Sequence, residues 1–143
     1  MKMKYGIVIA VCLLSIPCSI NAADFDGSQP LLCAFMKAME CTPEEGCKEA
    51  TVESLNVRQF VKVDFKKKEI TAPDGKGRTT PIENIKQIGN KLIIQGADAG
   101  IQEVRDGVGW TAAIMQDTGK VILTASGEEA GFVLFGACIP LPK

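Results

Sequence analysis

The chain has 143 residues, 16 Lys+Arg against 17 Asp+Glu, six cysteines and no histidine. Without histidine there is no Ser-His-Asp or Cys-His nucleophilic site, no imidazole base, and no His-ligated zinc or iron. The near-neutral balance lacks the basic face that a nucleic-acid partner demands, and the length suits one domain.

Lys2 and Lys4 precede an apolar run at residues 6–16 (GIVIAVCLLSI), which Pro17 breaks; a short polar stretch then ends at Ala22 and Ala23. This layout predicts a secretory signal peptide over residues 1–22, cleaved after Ala22 or, one residue on, after Ala23. The 11-residue run is shorter than the roughly 20 apolar residues of a membrane span. Cys18 raises lipoprotein processing, but Pro17 before it is a poor match to the small residue that site requires. The expectation is a periplasmic or secreted domain over residues 23–143, without a transmembrane segment after cleavage. Its net charge is −3, because Lys2 and Lys4 leave with the signal.

Residues 24–28 (DFDGS) are polar and end in Ser28, a helix-capping residue, with Pro30 just inside the next turn. A helix is therefore predicted near 29–41. Leu31, Phe35, Ala38 and Met39 would share its buried face, with Leu32 and Met36 widening it. The four cysteines of the domain, Cys33, Cys41, Cys47 and Cys138, predict two disulfides in an exported chain. On a helix Cys33 and Cys41 would stand roughly 12 Å apart, beyond the roughly 7 Å a disulfide allows. Cys41 and Cys47 flank a turn, so the expected pairs are Cys41–Cys47 and Cys33–Cys138. A four-cysteine metal site is disfavoured in an oxidising compartment, so no metal or cofactor is expected.

From Gln59 the apolar period becomes two. Residues 60–65 (FVKVDF) read as a strand, Lys66–Lys68 as a charged turn, and 69–72 as the returning strand. Residues 73–75 (PDG) form a turn. Residues 78–88 read as an edge or bent strand interrupted at Pro81. Strands follow at 91–95, 109–116, 120–126 and 132–139, with a loop at 96–107 and turns at 117–119 (DTG) and 127–131 (GEEAG). About seven strands with hairpin turns predict a mostly β fold: a single antiparallel meander sheet or small barrel, with the N-terminal helix packed on it. In the last strand Val133 and Phe135 oppose Phe132 and Leu134, so both of its faces are apolar and cover is expected on two sides.

The segments DFDGSQPLLCA, FVKVDFKKKEI, RTTPI, KLIIQG, GWT and FVLFGACIPL together resemble a family of small exported bacterial proteins of unassigned activity. The resemblance covers nearly the whole mature chain. It implies a periplasmic or secreted single domain with paired cysteines, and it supplies no catalytic residue. The architecture is also similar to that of a lipocalin, a likeness of layout that does not fix function.

Asp24, Asp26 and Ser28 resemble half of a calcium loop, but the chain beyond offers no closing carboxylate, and a turn with a cap accounts for them. Lys66–Lys68 sit beside Asp64 and Glu69 and read as a solvated hairpin tip that discourages edge pairing. Glu128 and Glu129 lie in a glycine-flanked turn, expected to be exposed and far from any pocket, unlike a buried general acid. Trp110, the only tryptophan, follows two glycines and serves either a ligand or the core. Phe35, Met36 and Met39 serve either a flexible apolar pocket or the core.

The expected activity is therefore binding rather than catalysis. The first reading is a β-barrel holding a small apolar or amphipathic molecule, with Trp110, Phe35, Met36 and Met39 as ligand contacts. The alternative is a protein-interaction or inhibitor module with a solid core, engaging an envelope protein through the 96–107 loop or the 78–88 strand.

Overall fold

A computed structural model describes residues 25–100 and 107–142. The signal segment, with Ala22 and Ala23, lies outside the described residues, as does the middle of the 96–107 loop. Ten strands run in chain order: β1 (Leu31–Thr42), β2 (Gly46–Ala50), β3 (Phe60–Asp64), β4 (Glu69–Thr71), β5 (Thr80–Pro81), β6 (Asn84–Ile88), β7 (Lys91–Asp98), β8 (Val108–Met115), β9 (Lys120–Ser126) and β10 (Gly131–Pro140). They form one curled antiparallel sheet, a half-barrel in the order β5-β4-β3-β1-β10-β9-β8-β7-β6, with β2 added to β1.

There is no helix among the described residues, and the one expected near 29–41 is instead the longest strand, β1. The cause is a β-bulge. Leu31, Cys33 and Phe35 alternate inward and are buried, then the register with β10 slips between Phe35 and Lys37, and the next buried residue is Ala38. Alternation alone gives the spacing of four from Leu31 to Phe35, and the one extra residue makes the next step three, so that Ala38 falls seven from Leu31. Leu31, Phe35 and Ala38 thus imitate a helical stripe while lying on one strand.

The disulfide expectation holds, although the helix that motivated it does not. Cys33–Cys138 and Cys41–Cys47 are bonded, and each pair is directly opposite across a ladder, β1 with β10 and β1 with β2. On a strand Cys33 and Cys41 stand even farther apart, at roughly 26 Å.

The strand expected at 78–88 is bent into β5 and β6, which share the residues Ile82 and Glu83 between them. Ile82 N–H donates to the Lys68 carbonyl at 2.8 Å, and Glu83 N–H donates to the Gln95 carbonyl at 2.9 Å. This single segment therefore touches β4's turn on one side and β7 on the other, spanning the seam where the sheet's two ends meet. Gly96 of β7 permits that approach: a Cβ there would run into the Pro81 carbonyl and lie 2.6 Å from Trp110 Cζ2. Gly136 of β10 serves the bulge similarly, since a Cβ would strike the Ala34 carbonyl.

Turn chemistry agrees with the sequence. Asp64 Oδ1 accepts from the Lys66 and Lys67 amides, both at 3.1 Å, which closes the β3–β4 hairpin. Lys67 also reaches Glu69 at 3.6 Å. Asp26 accepts from Ser28 N–H at 2.8 Å, a local turn at the entrance to β1 in place of the helix cap expected of Ser28.

The inner face is filled at one end. Leu31, Phe65, Ile82 and Leu92 are buried there, and Phe25 packs beside them. Gly27 brings the incoming chain against Leu92 and Phe65. Burial of this cluster on folding, at about 25 cal/mol per Å² of apolar surface, is what holds the curl.

Candidate functional site

The inner face is not filled at the other end. A cavity of about 880 Å³ opens there, within the roughly 300–1,000 Å³ typical of small-molecule sites. Its walls are the inward residues of strands from all round the sheet, among them Val61, Ile70, Ile94, Ala112, Leu123 and Leu134. These residues point inward because each strand alternates, so one face of every strand contributes one or two side chains to a common interior.

The mouth is polar. Asp98, at the end of β7, forms an ion pair with Arg78 and accepts from the Thr80 hydroxyl and the Gly100 amide, each at 3.0 Å. Arg58 Nη1 donates to the Arg78 carbonyl at 2.9 Å. These bonds tie the approach to β3, the approach to β5 and the end of β7 into one rim. Leu55 and Val57, from the segment linking β2 and β3, overhang the opening. That segment is stiffened by Thr51 and Ser54, whose side chains accept from each other's amides at 3.2 and 3.0 Å.

Trp110 lies on the wall, buried to 7% exposure, across Gly96 on the neighbouring strand. It is both core and cavity lining. Its Nε1 is buried with no hydrogen-bond partner among the described residues.

The expected ligand contacts divide. Trp110 and Phe35 line the cavity. Met36 does not: it sits in the bulge, 68% exposed, beside a separate shallow groove between β1 and the 50s segment. Met39 does not line the cavity either, because beyond the bulge its position alternates to the outer face, where it pairs with Val133. Alternation after Phe35 turns Met36 outward, and the register slip does the same for Met39. Glu128 and Glu129 are exposed as expected, but they line the cavity mouth rather than standing far from it. The 127–131 turn joins two strands whose inner residues are wall, so its tip falls on the rim.

Arg58, Arg78, Thr80 and Asp98 were not singled out in the sequence. Their role comes from three chain segments converging, and no local pattern marks them. The apolar wall residues, by contrast, are legible as every second position of β7 to β10. Among the described residues no group of three or more His, Cys, Asp or Glu is arranged to hold a metal.

No family model, no curated protein and no solved structure matches this chain.

Proposed function

We propose that this protein is a binding module which holds a small apolar or amphipathic molecule in the open end of its half-barrel. The observation that carries the reading is an apolar cavity with a polar rim inside a sheet whose other end is packed solid. An apolar ligand would displace water from the walls, and a polar end group would remain at Arg58, Thr80 and the rim carboxylates. The seam-spanning β5–β6 segment and the Asp98 network keep the walls preformed, which limits the ordering cost of binding. The two disulfides suit an oxidising, extracellular-type environment, so an exported carrier or sensor is the setting proposed. The binding reading involves no covalent step.

The test is a titration with an apolar fluorescent naphthalene probe, read also through Trp110 as the sole indole. Saturable binding with a change in Trp110 emission is expected. An absence of binding, by probe and by a native mass spectrum free of co-purified adducts, would refute it.

One observation favours the interaction module as a second reading. Among the described residues β6 pairs with β7 alone, and all five of its residues are exposed, including Ile85 and Ile88. Such an edge offers unpaired backbone groups for strand addition by a partner. Capture of an envelope protein by wild type but not by Ile85→Lys and Ile88→Pro variants would support that reading over the first.

A further inference from the structure

The apolar residues on both sides of the late strands were expected to have cover on both sides. The structure supplies it on only one side. Within β7–β10 and β1, successive side chains alternate, so residues opposite in register share a face. Ile93, Ala113, Ile122 and Phe135 are consecutive register partners across β7, β8, β9 and β10, which makes them a transverse apolar row on the outer face. Ile122 is 41% exposed, Phe135 39% and Ile139, on the same face of β10, 59%. Phe60, at the start of β3, extends the apolar area beyond β1 and is 49% exposed.

Across the central strands of this wall the charges have one sign. The charged outer-face positions of β1, β10, β9, β8 and β7 are Lys37, Lys120 and Lys91; at the margin β3 adds Lys62 beside Leu32 and Asp64 two residues on, and β2 adds Glu49, the register partner of Met39. Lys37 is the register partner of Phe135, and Lys120 is the partner of Ala137, so both cations border the apolar row directly. Three other carboxylates lie off this face: Asp98 faces the cavity, and Glu128 and Glu129 sit at its mouth. In a chain with more acidic than basic residues, lysine as the sole charge across the outer face of β1 and β7–β10 is a local reversal of charge.

We infer that this outer wall docks on the surface of an anionic lipid bilayer. The apolar row enters the headgroup boundary while Lys37, Lys120 and their neighbours meet lipid phosphates, the combination by which peripheral proteins bind anionic membranes. Charge complementarity selects this occupant over a second copy of the chain, because stacking two such walls would oppose lysine to lysine. The inference stands independently of the cavity reading. If both hold, the wall would bring the cavity to a source of amphipathic ligands.

The experiment is co-sedimentation of the protein, as purified from the cell, with vesicles of phosphatidylcholine alone and of equimolar phosphatidylcholine and phosphatidylglycerol. The variants are Lys37→Gln/Lys120→Gln and Ile122→Ser/Phe135→Ser, all at solvent-exposed positions. Every variant shares the wild-type N-terminus, so any contribution from the apolar residues 6–16 cancels. Trp110 emission and an intact disulfide mass verify the fold of each. Wild type is expected to sediment with the anionic vesicles, and less so at high salt. Removing two lysines should weaken partitioning about 25-fold, at about fivefold for each lysine near the surface. The Ser variant should weaken it also. Equal sedimentation of wild type and both variants, or no preference for anionic vesicles, would overturn the inference. Self-association in solution that the Ser variant abolishes would overturn it too, since the wall would then be a dimer face. Probe binding in the cavity is measured on the same variants, and its loss or retention has no bearing on the docking result.

Discussion

The two disulfides close loops of very different length, and this predicts very different effects on stability. Cys33–Cys138 bridges 105 positions and Cys41–Cys47 only 6. Loop-closure entropy, scaling with the logarithm of loop length, assigns about 4.8 kcal/mol to the long loop at 25 °C and about 2.2 kcal/mol to the short one. Cys33 and Cys138 are also buried, at 2% and 3% exposure, so alanine there adds a small packing defect. Cys47 is exposed and adds none. Domains of this size are stable by about 5–15 kcal/mol in all, so the long bridge accounts for a large share. The assay is urea unfolding followed by Trp110 emission, comparing C33A/C138A with C41A/C47A. With a slope of about 2 kcal/mol per molar urea, the midpoint should fall by about 2.4 M for the first variant and about 1.1 M for the second. Equal shifts, or a larger one for C41A/C47A, would refute the loop-length reasoning. They would mean that strain or residual unfolded structure dominates.

Three further outcomes are expected. Ala112→Phe puts a ring into the cavity and should lower affinity for an apolar probe at least about tenfold, or about 1.4 kcal/mol, with an unchanged far-UV spectrum; unchanged affinity would place the probe elsewhere. Gly96→Ala drives a methyl toward the Pro81 carbonyl and the Trp110 ring, so it should cost about 1–3 kcal/mol in chemical denaturation and shift Trp110 emission; a neutral result would mean that the seam can relax. Asp98→Ala removes the ion pair to Arg78 and the acceptor for Thr80 and Gly100. Discounted for the 44% exposure of the Arg78 side chain, the loss should be about 1–2 kcal/mol, with faster amide exchange at the rim as the accompanying measurement; protection equal to wild type would show that the network does not hold the mouth.

Legibility from sequence follows the range of the interaction. β9 occupies Lys120–Ser126 as the alternation and its flanking turns predict, because a strand's period and a glycine turn are both local. β3 and β4 are legible for the same reason, with Asp64 and the lysines between them. β2 is not legible, because its five residues, GCKEA, carry no alternation and among the described residues pair with β1 alone. β7 runs on to Asp98, past the end expected at Gln95, because β8 lies opposite and supplies partners for Gly96 to Asp98. The cavity walls could be read strand by strand. The rim could not, since Arg58, Arg78 and Asp98 meet only when the sheet curls.

Local sequence suffices for the β class and for the antiparallel order from β7 to β10. Both rest on local periodicity and short turns, whereas the cysteine pairing came out as expected from a helix near 29–41 where the structure instead has β1. Tertiary structure alone decided that residues 31–42 extend rather than coil. A helix there would have satisfied its own backbone, whereas the strand gains partners on both sides, from β10 and from β2 and β3. It also decided, through one bulged residue, which side chains face the cavity and which face outward. A register slip reverses the faces of everything beyond it, and its cause is contact with a strand about a hundred residues away, which no window of local sequence contains.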